Sequence, residues 1–183
     1  VAHYGPPDVL VNNAGVNVFH DPLQMPQSEW DRCFRVDLTG VWYGCRAVLP
    51  HLLARGRGSI VNIASVHGFQ IIPHCFPYPV AKHGLLGLTR AVAKEGARHK
   101  VRANLIAPGF VRTPLVDKQI PEQAQALGIP EAEVIKNVML KNTVDGEFTT
   151  VQDVAEVALF FAAFPTNALT GQSLIVSHGW FME

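Results

Sequence analysis

The chain lacks an excess of charge of either sign: fifteen Lys and Arg balance fifteen Asp and Glu, and charged residues make up only 16%. No net field is available to draw in nucleic acid or an anionic membrane, and no basic run supplies a local one. Neither partner is expected. Cysteine is scarce as well. Cys33, Cys45 and Cys75 are odd in number and show no CxxC spacing, which fits a reducing, cytoplasmic setting better than a disulfide framework. The histidines, His74 among them, include no HExxH or equivalent Cys/His spacing, so no metal site is expected. The longest apolar run, VALFFAAF at 157–164, falls far short of the ~20 residues a membrane span needs. A soluble chain is expected. The first residues, VAHYGPPDVLVNNAG, carry neither an initiator Met nor a basic start followed by an apolar stretch, and read as a helix end running into a buried strand.

With 183 residues, 48% hydrophobic composition and mean hydropathy +0.15, the chain has the size and apolar content of one globular domain spanning 1–183. Its most informative stretch is Ser65 to Lys82, SVHGFQIIPHCFPYPVAK, which brings a hydroxyl, a phenol and an ammonium together and ends by opening a helix. Tyr78 and Lys82 are four apart, hence on neighbouring turns of one helix face. An ammonium beside a phenol favours the phenolate and lowers a pKa that starts near ~10. Such a tyrosine can exchange a proton with an alcohol or ketone, and Ser65 could hydrogen-bond the same oxygen.

Taken in order, the chain reads as a strand at Asp8–Val11, then the small-residue turn Asn12-Asn13-Ala14-Gly15, where a ligand can approach the backbone closely. Ser28 with Asp31 three residues on predicts a helix start, and Trp30, Phe34, Leu38, Val41, Trp42, Cys45, Val48, Leu49 and Leu52 make an apolar stripe interrupted by Asp37, with Pro50 a possible kink. A second strand runs over Ser59–Ser65, a helix over about 79–98, a third strand over Val101–Ile106, a helix over Val151–Phe164 and a last strand over Ser173–Ser177. Gly56 and Gly58 precede a strand rather than follow one, so they are not a dinucleotide-binding turn. The alternation predicts a doubly wound parallel α/β sheet, Rossmann-like, with Asn12–Gly15, Ser65 and Pro108-Gly109 at strand carboxyl ends where ligands gather. Residues 113–146 are charged, rich in amides and prolines, with two short helical patterns and little to pack as core, and are expected to form a lid.

Asn12-Asn13-Ala14-Gly15, Ser65, Tyr78-x-x-x-Lys82 and Pro108-Gly109-x-x-x-Thr113, in that order, resemble the short-chain dehydrogenase/reductase family over the whole chain. The resemblance implies hydride transfer to or from a nicotinamide cofactor, NAD or NADP. Tyr78 would be the general acid/base; Lys82 would lower its pKa and hold the nicotinamide ribose. Ser65 would position the substrate oxygen. Asn12, Ala14 and Gly15 would line the adenosine side of the cofactor, Pro108 and Gly109 would lie along it, and Thr113 would meet the carboxamide. The resemblance also implies a glycine-rich turn upstream, so the sheet is expected to be truncated at its N-terminal side, and a homo-oligomer, commonly a tetramer.

SVHG, KHG after the catalytic tyrosine, TPLVxKQI and the terminal HGW resemble the bacterial branch of the family that acts on D-3-hydroxybutyrate. That likeness implies a small 3-hydroxy acid as substrate, with Asn17, His67, Gln119 and Trp180 holding its carboxylate or closing the pocket. Cys75 stands where that branch is expected to carry a carboxylate-binding lysine, and Asn17 where it carries glutamine. Asp37 replaces the family's helix asparagine in a proton relay: its carboxylate would favour a charged Lys82 and disfavour a phenolate, two opposing effects. Two other readings stand beside this one: a noncatalytic fragment that associates with full-length subunits, and a dehydrogenase for a neutral secondary alcohol, sugar or steroid.

Overall fold

The computed structural model describes residues 3–73 and 75–182. Four strands, β1 (Val9–Asn12), β3 (Gly58–Ile63), β5 (Val101–Pro108) and β6 (Ser173–Val176), form one parallel sheet in the order β1-β3-β5-β6. β3 and β5 pair through Gly58 with Val101 to Ile63 with Ile106, which brings both carboxyl ends level. Every residue of β5 is buried, as expected of a strand covered on both faces. Alternation along the strands then sorts the two faces. Ile60, Ala103, Leu105 and Ala107 pack with Leu52, Leu85 and Val92 of the helices α2 (Gly40–Arg55) and α3 (Tyr78–Gly96). Val61 and Ile106 point the other way, onto Phe161 of α6 (Val151–Ala163). Helices on both faces of a parallel sheet make this the doubly wound α/β architecture expected from the sequence.

Local chemistry fixes the ends of these elements. α2 stops at Gly56, whose φ of +65° is the left-handed conformation that a glycine adopts without a Cβ penalty. α6 opens with a capping box: Thr150 Oγ1 accepts from the Asp153 N–H, and the Asp153 carboxylate accepts from the Thr150 N–H.

Some features depart from the sequence reading. The first helix, α1 (Gln27–Phe34), joins α2 through a π-helical turn, Arg35–Thr39, that no apolar period announces. Beyond that turn Val41 faces the core, whereas Trp42, expected on the buried stripe, is 43% exposed. Pro50 sits inside α2, which continues through it to Arg55. Residues 3–8 are turns and bends rather than a helix end. Two short strands, β2 (Phe19–His20) and β4 (Phe76–Pro77), pair antiparallel across what read as loops.

The 113–146 segment, expected to have little core, holds α4 (Pro114–Leu127), the short α5 (Glu131–Glu133) and a π-helical turn Val134–Met139. Val116, Ile120, Val134, Met139 and Leu140 form a separate apolar cluster with Phe110 and Phe148. Its prolines and charges lie mostly outside, which hid that cluster from a composition reading. Val1, Ala2, His74 and Glu183 lie outside the described residues. No helix of the described residues is long and apolar enough to cross a membrane.

Candidate active site

The carboxyl ends of β1, β3 and β5 open onto a cavity of about 390 Å³, walled on its far side by α4. Tyr78 begins α3 and Lys82 follows one turn on, so the two side chains share one face, as the spacing requires. Lys82 Nζ stands 5.3 Å from the Tyr78 ring centroid and donates to the Ile63 carbonyl at 3.3 Å. Ser65 enters just beyond the end of β3, where it caps a single 3-10 turn and accepts from the His67 N–H at 3.2 Å. Ser65, Tyr78 and Lys82 are all buried, and all three line the cavity.

Asp37 completes the constellation. The π-helical turn directs it inward, fully buried, with its Oδ1 at 3.3 Å from Lys82 Nζ and accepting the Val16 N–H at 3.1 Å. π-helical turns of this kind recur at functional sites. Burial raises the Tyr78 pKa, the Lys82 charge and the Ser65 hydroxyl pull it down, and Asp37 and Cys33 push it up again. The net direction is upward, whereas the spacing of Tyr78 and Lys82 alone predicts a lowered value. The difference arises because the phenol is fully enclosed and the ammonium already has a carboxylate partner.

His67, Phe19, Tyr78 and Trp180 form an aromatic corner, with the His67 ring edge-on to Tyr78 at 6.0 Å and to Trp180 at 5.5 Å. Burial lowers the His67 pKa, and its Nδ1 lies 3.2 Å from the Gln70 carbonyl. A carbonyl only accepts, so the neutral ring carries its proton on Nδ1 and leaves Nε2 as an acceptor. Trp180 stacks on Phe110 at 5.1 Å, and among the described residues its Nε1 is the buried side-chain donor without a partner. Asn17 and the buried Gln119 also line the cavity. Among the described residues Asp37 and Lys82 are its only charged lining groups, and they neutralise each other.

Three residues assigned to the site by resemblance lie away from this wall. Asn12, the last residue of β1, turns toward α2: its Nδ2 donates to Asn62 Oδ1 at 2.8 Å and lies 3.6 Å from Cys45 Sγ. Asn62 in turn donates to Thr89 Oγ1 at 2.9 Å, so Asn12 ends a polar chain bracing the sheet against α3. Asn13, quoted in the same turn but given no role there, lines the cavity in its place, while Ala14 is exposed and does not. Cys75 is buried outside the lining, and burial pushes its thiol up to about 11. Thr113 lines the cavity and caps α4 by accepting from the Val116 N–H at 3.4 Å, which leaves its hydroxyl proton free to donate. Phe19 and Phe110 also escaped the sequence reading, because only the β2–β4 pairing and the turn after β5 carry them to the cavity.

The floor beside the pair is shaped for close approach. A Cβ at Gly15 would lie 2.9 Å from Asp37 Oδ1 and 3.6 Å from Lys82 Nζ, and one at Gly109 would lie 3.1 Å from Ser177 Cα and 3.3 Å from Trp180 Cε3. With Pro108 and Thr113 alongside, these bare backbone stretches leave room for a flat ring against the Tyr78–Lys82 wall.

Known proteins resemble this chain along nearly its whole length. The family model described as enoyl-(acyl carrier protein) reductase matches residues 1–180. A D-beta-hydroxybutyrate dehydrogenase of Rhizobium meliloti is 43% identical over 177 residues, covering 97% of this chain and 69% of that protein. A 3-oxoacyl-acyl-carrier-protein reductase of Thermotoga maritima is 35% identical over 179 residues, 98% of this chain and 68% of that protein. Among solved structures, an actinorhodin polyketide ketoreductase with NADPH superposes with a TM-score of 0.92 at 33% identity, covering 98% of this chain and 69% of that one. The chain belongs to the short-chain dehydrogenase/reductase family. It is therefore an oxidoreductase of the kind that works with a nicotinamide cofactor.

Proposed function

We propose that this protein interconverts a small 3-hydroxy acid, of the size of 3-hydroxybutyrate, and the corresponding ketone, with NAD as its hydride partner. The observation that carries the reading is the common wall formed by Ser65, Tyr78 and Lys82 at the carboxyl end of the sheet. The relative named for D-beta-hydroxybutyrate supports the choice of acid.

Bound nicotinamide would supply or accept the hydride, and the residues that fit it are Gly15, Pro108, Gly109, Thr113, Tyr78 and Lys82. Tyr78 would give its proton to the carbonyl oxygen in reduction and take it back in oxidation. Ser65 would hold that oxygen, and Lys82 would fix the ribose through its ammonium while Asp37 holds Lys82 in place. Burial of Ser65, Tyr78 and Lys82 places these contacts in a low-dielectric wall, where each is stronger than in water. Asn17 and Gln119 would donate to the carboxylate while Trp180 closes the pocket, and bonds to an ionised acceptor are among the stronger ones.

One observation favours a second reading, in which the substrate is a neutral secondary alcohol: among the described residues no unpaired cation lines the cavity. The test is NADH formation with D-3-hydroxybutyrate against butan-2-ol, in the protein and in Tyr78→Phe. Faster turnover of the acid, lost in the variant, supports the proposal. Faster turnover of the alcohol transfers it to the second reading, and undiminished turnover in Tyr78→Phe refutes the role given to the phenol.

A further inference from the structure

Among the described residues Lys82 is the only cation on the cavity wall, and its charge does not reach Tyr78 alone. Asp37 is completely buried and Lys82 nearly so, with 3.3 Å between their charged atoms, and three separate elements fix the carboxylate. The Val16 N–H donates to Oδ1 from the segment after β1, Cys33 Sγ stands 3.7 Å from Oδ2 on α1, and Lys82 closes the third side from α3. The absent side chain of Gly15 is part of the same arrangement, since a Cβ there would meet Oδ1. An isolated ammonium acts on a neighbouring phenol as a full charge. An ammonium locked to a carboxylate acts as a dipole, whose effect on the phenol is much weaker.

The other groups around Tyr78 do not restore the missing positive field. Cys33 is held neutral, its thiol pushed up to about 12 chiefly by burial and then by Asp37. His67, edge-on to the phenol, has its pKa lowered by burial and is neutral near pH 7. Ser65 offers only a hydroxyl.

We propose that Asp37 is a positioning residue which, by pairing with Lys82, withholds the ammonium's field from Tyr78, tightens the phenol's hold on its proton and so biases the site toward carbonyl reduction over alcohol oxidation. This rests on Tyr78 being the proton-transfer group. In reduction the carbonyl carbon would gain the hydride that a bound dihydronicotinamide supplies, while its oxygen would gain the Tyr78 proton. The products are the alcohol, oxidised nicotinamide and a tyrosinate that water reprotonates. Oxidation must begin from that tyrosinate, so it requires a higher pH. Burial is the chief cause of the upward net direction at Tyr78, and Asp37 adds to it while Lys82 opposes it.

The protein holds three tyrosines, and Tyr4 and Tyr43 are 93% and 55% exposed, so replacing both with Phe leaves Tyr78 as the sole phenol without touching the cavity. Tyrosinate absorbance followed against pH, with no cofactor or substrate present, then reads Tyr78 directly. With Asp37 in place the midpoint is expected above the free-tyrosine value of about 10. Asp37→Asn is expected to lower it by ~1 unit or more, because one like charge is removed and Lys82 is freed at once. Asp37→Ser, which likewise removes the charge, carries the same measurement should Asp37→Asn lose its cooperative unfolding transition. A midpoint below about 10 with Asp37 present overturns the proposal. So does a midpoint that stays or rises in the substituted protein, since a merely structural role would alter stability and leave the phenol alone. Neither outcome depends on NADH formation, which separately judges the oxidoreductase reading.

Discussion

Replacing Lys82 with Met isolates the energetics on which the site is built. The thioether keeps most of the lysine stem and its packing but removes the ammonium, leaving Asp37 with no exposure and no cationic partner. Its remaining contacts, the Val16 N–H and the Cys33 thiol, are neutral. Breaking a buried pair from one side costs about 3–5 kcal/mol, because the surviving charge stays desolvated and uncompensated. For a domain of this size that corresponds to a fall in Tm of about 6–20 °C. Adding Asp37→Asn to Lys82→Met removes the stranded charge while keeping an acceptor for Val16, so the double variant should recover most of the loss. Urea unfolding followed by circular dichroism, with thermal melts alongside, measures all four corners of this cycle. A Lys82→Met protein as stable as the parent, or a double variant no better than Lys82→Met, would falsify the claim that these groups form a tightly coupled buried pair.

Three further outcomes follow from the same geometry. Phe161→Ala removes the fully buried ring that joins α6 to Val61 and Ile106, and should cost about 3–5 kcal/mol in urea unfolding. Gly109→Ala places a Cβ against Ser177 and the Trp180 ring, so we expect about 1–3 kcal/mol of destabilisation and a raised KM with less change in kcat. His67 is neutral in the free protein because burial depresses its pKa, and a carboxylate nearby would favour its protonated form. Binding of an acid therefore takes up a proton, and KM for 3-hydroxybutyrate should rise with pH by up to about tenfold per unit through the neutral range. KM for butan-2-ol should stay flat over the same range, and a flat profile for both would remove His67 from acid binding.

Composition and order carried the architecture. Short apolar runs alternating with helical periods specify a parallel sheet covered on both faces, because only that arrangement buries Ile60 and Val61, or Leu105 and Ile106, on opposite sides at once. The Tyr78–Lys82 spacing likewise fixed a shared helix face, since four residues make about one turn wherever the helix is placed. What the sequence could not convey was direction. Asn12 and Asn13 are adjacent and chemically identical, yet only the orientation at the end of β1 decides that the first braces Asn62 and the second lines the cavity. By its own spacing Asp37 reads only as an interruption in an apolar stripe; the resemblance tied it to Lys82, and the π-helical turn is what carries it there. The state of Tyr78 belongs to the same class: local spacing supplies the ammonium, but enclosure and the distant carboxylate decide which protonation form is favoured. Electrostatic balance in a buried site depends on every charge within a few ångströms, and those charges come from elements far apart along the chain.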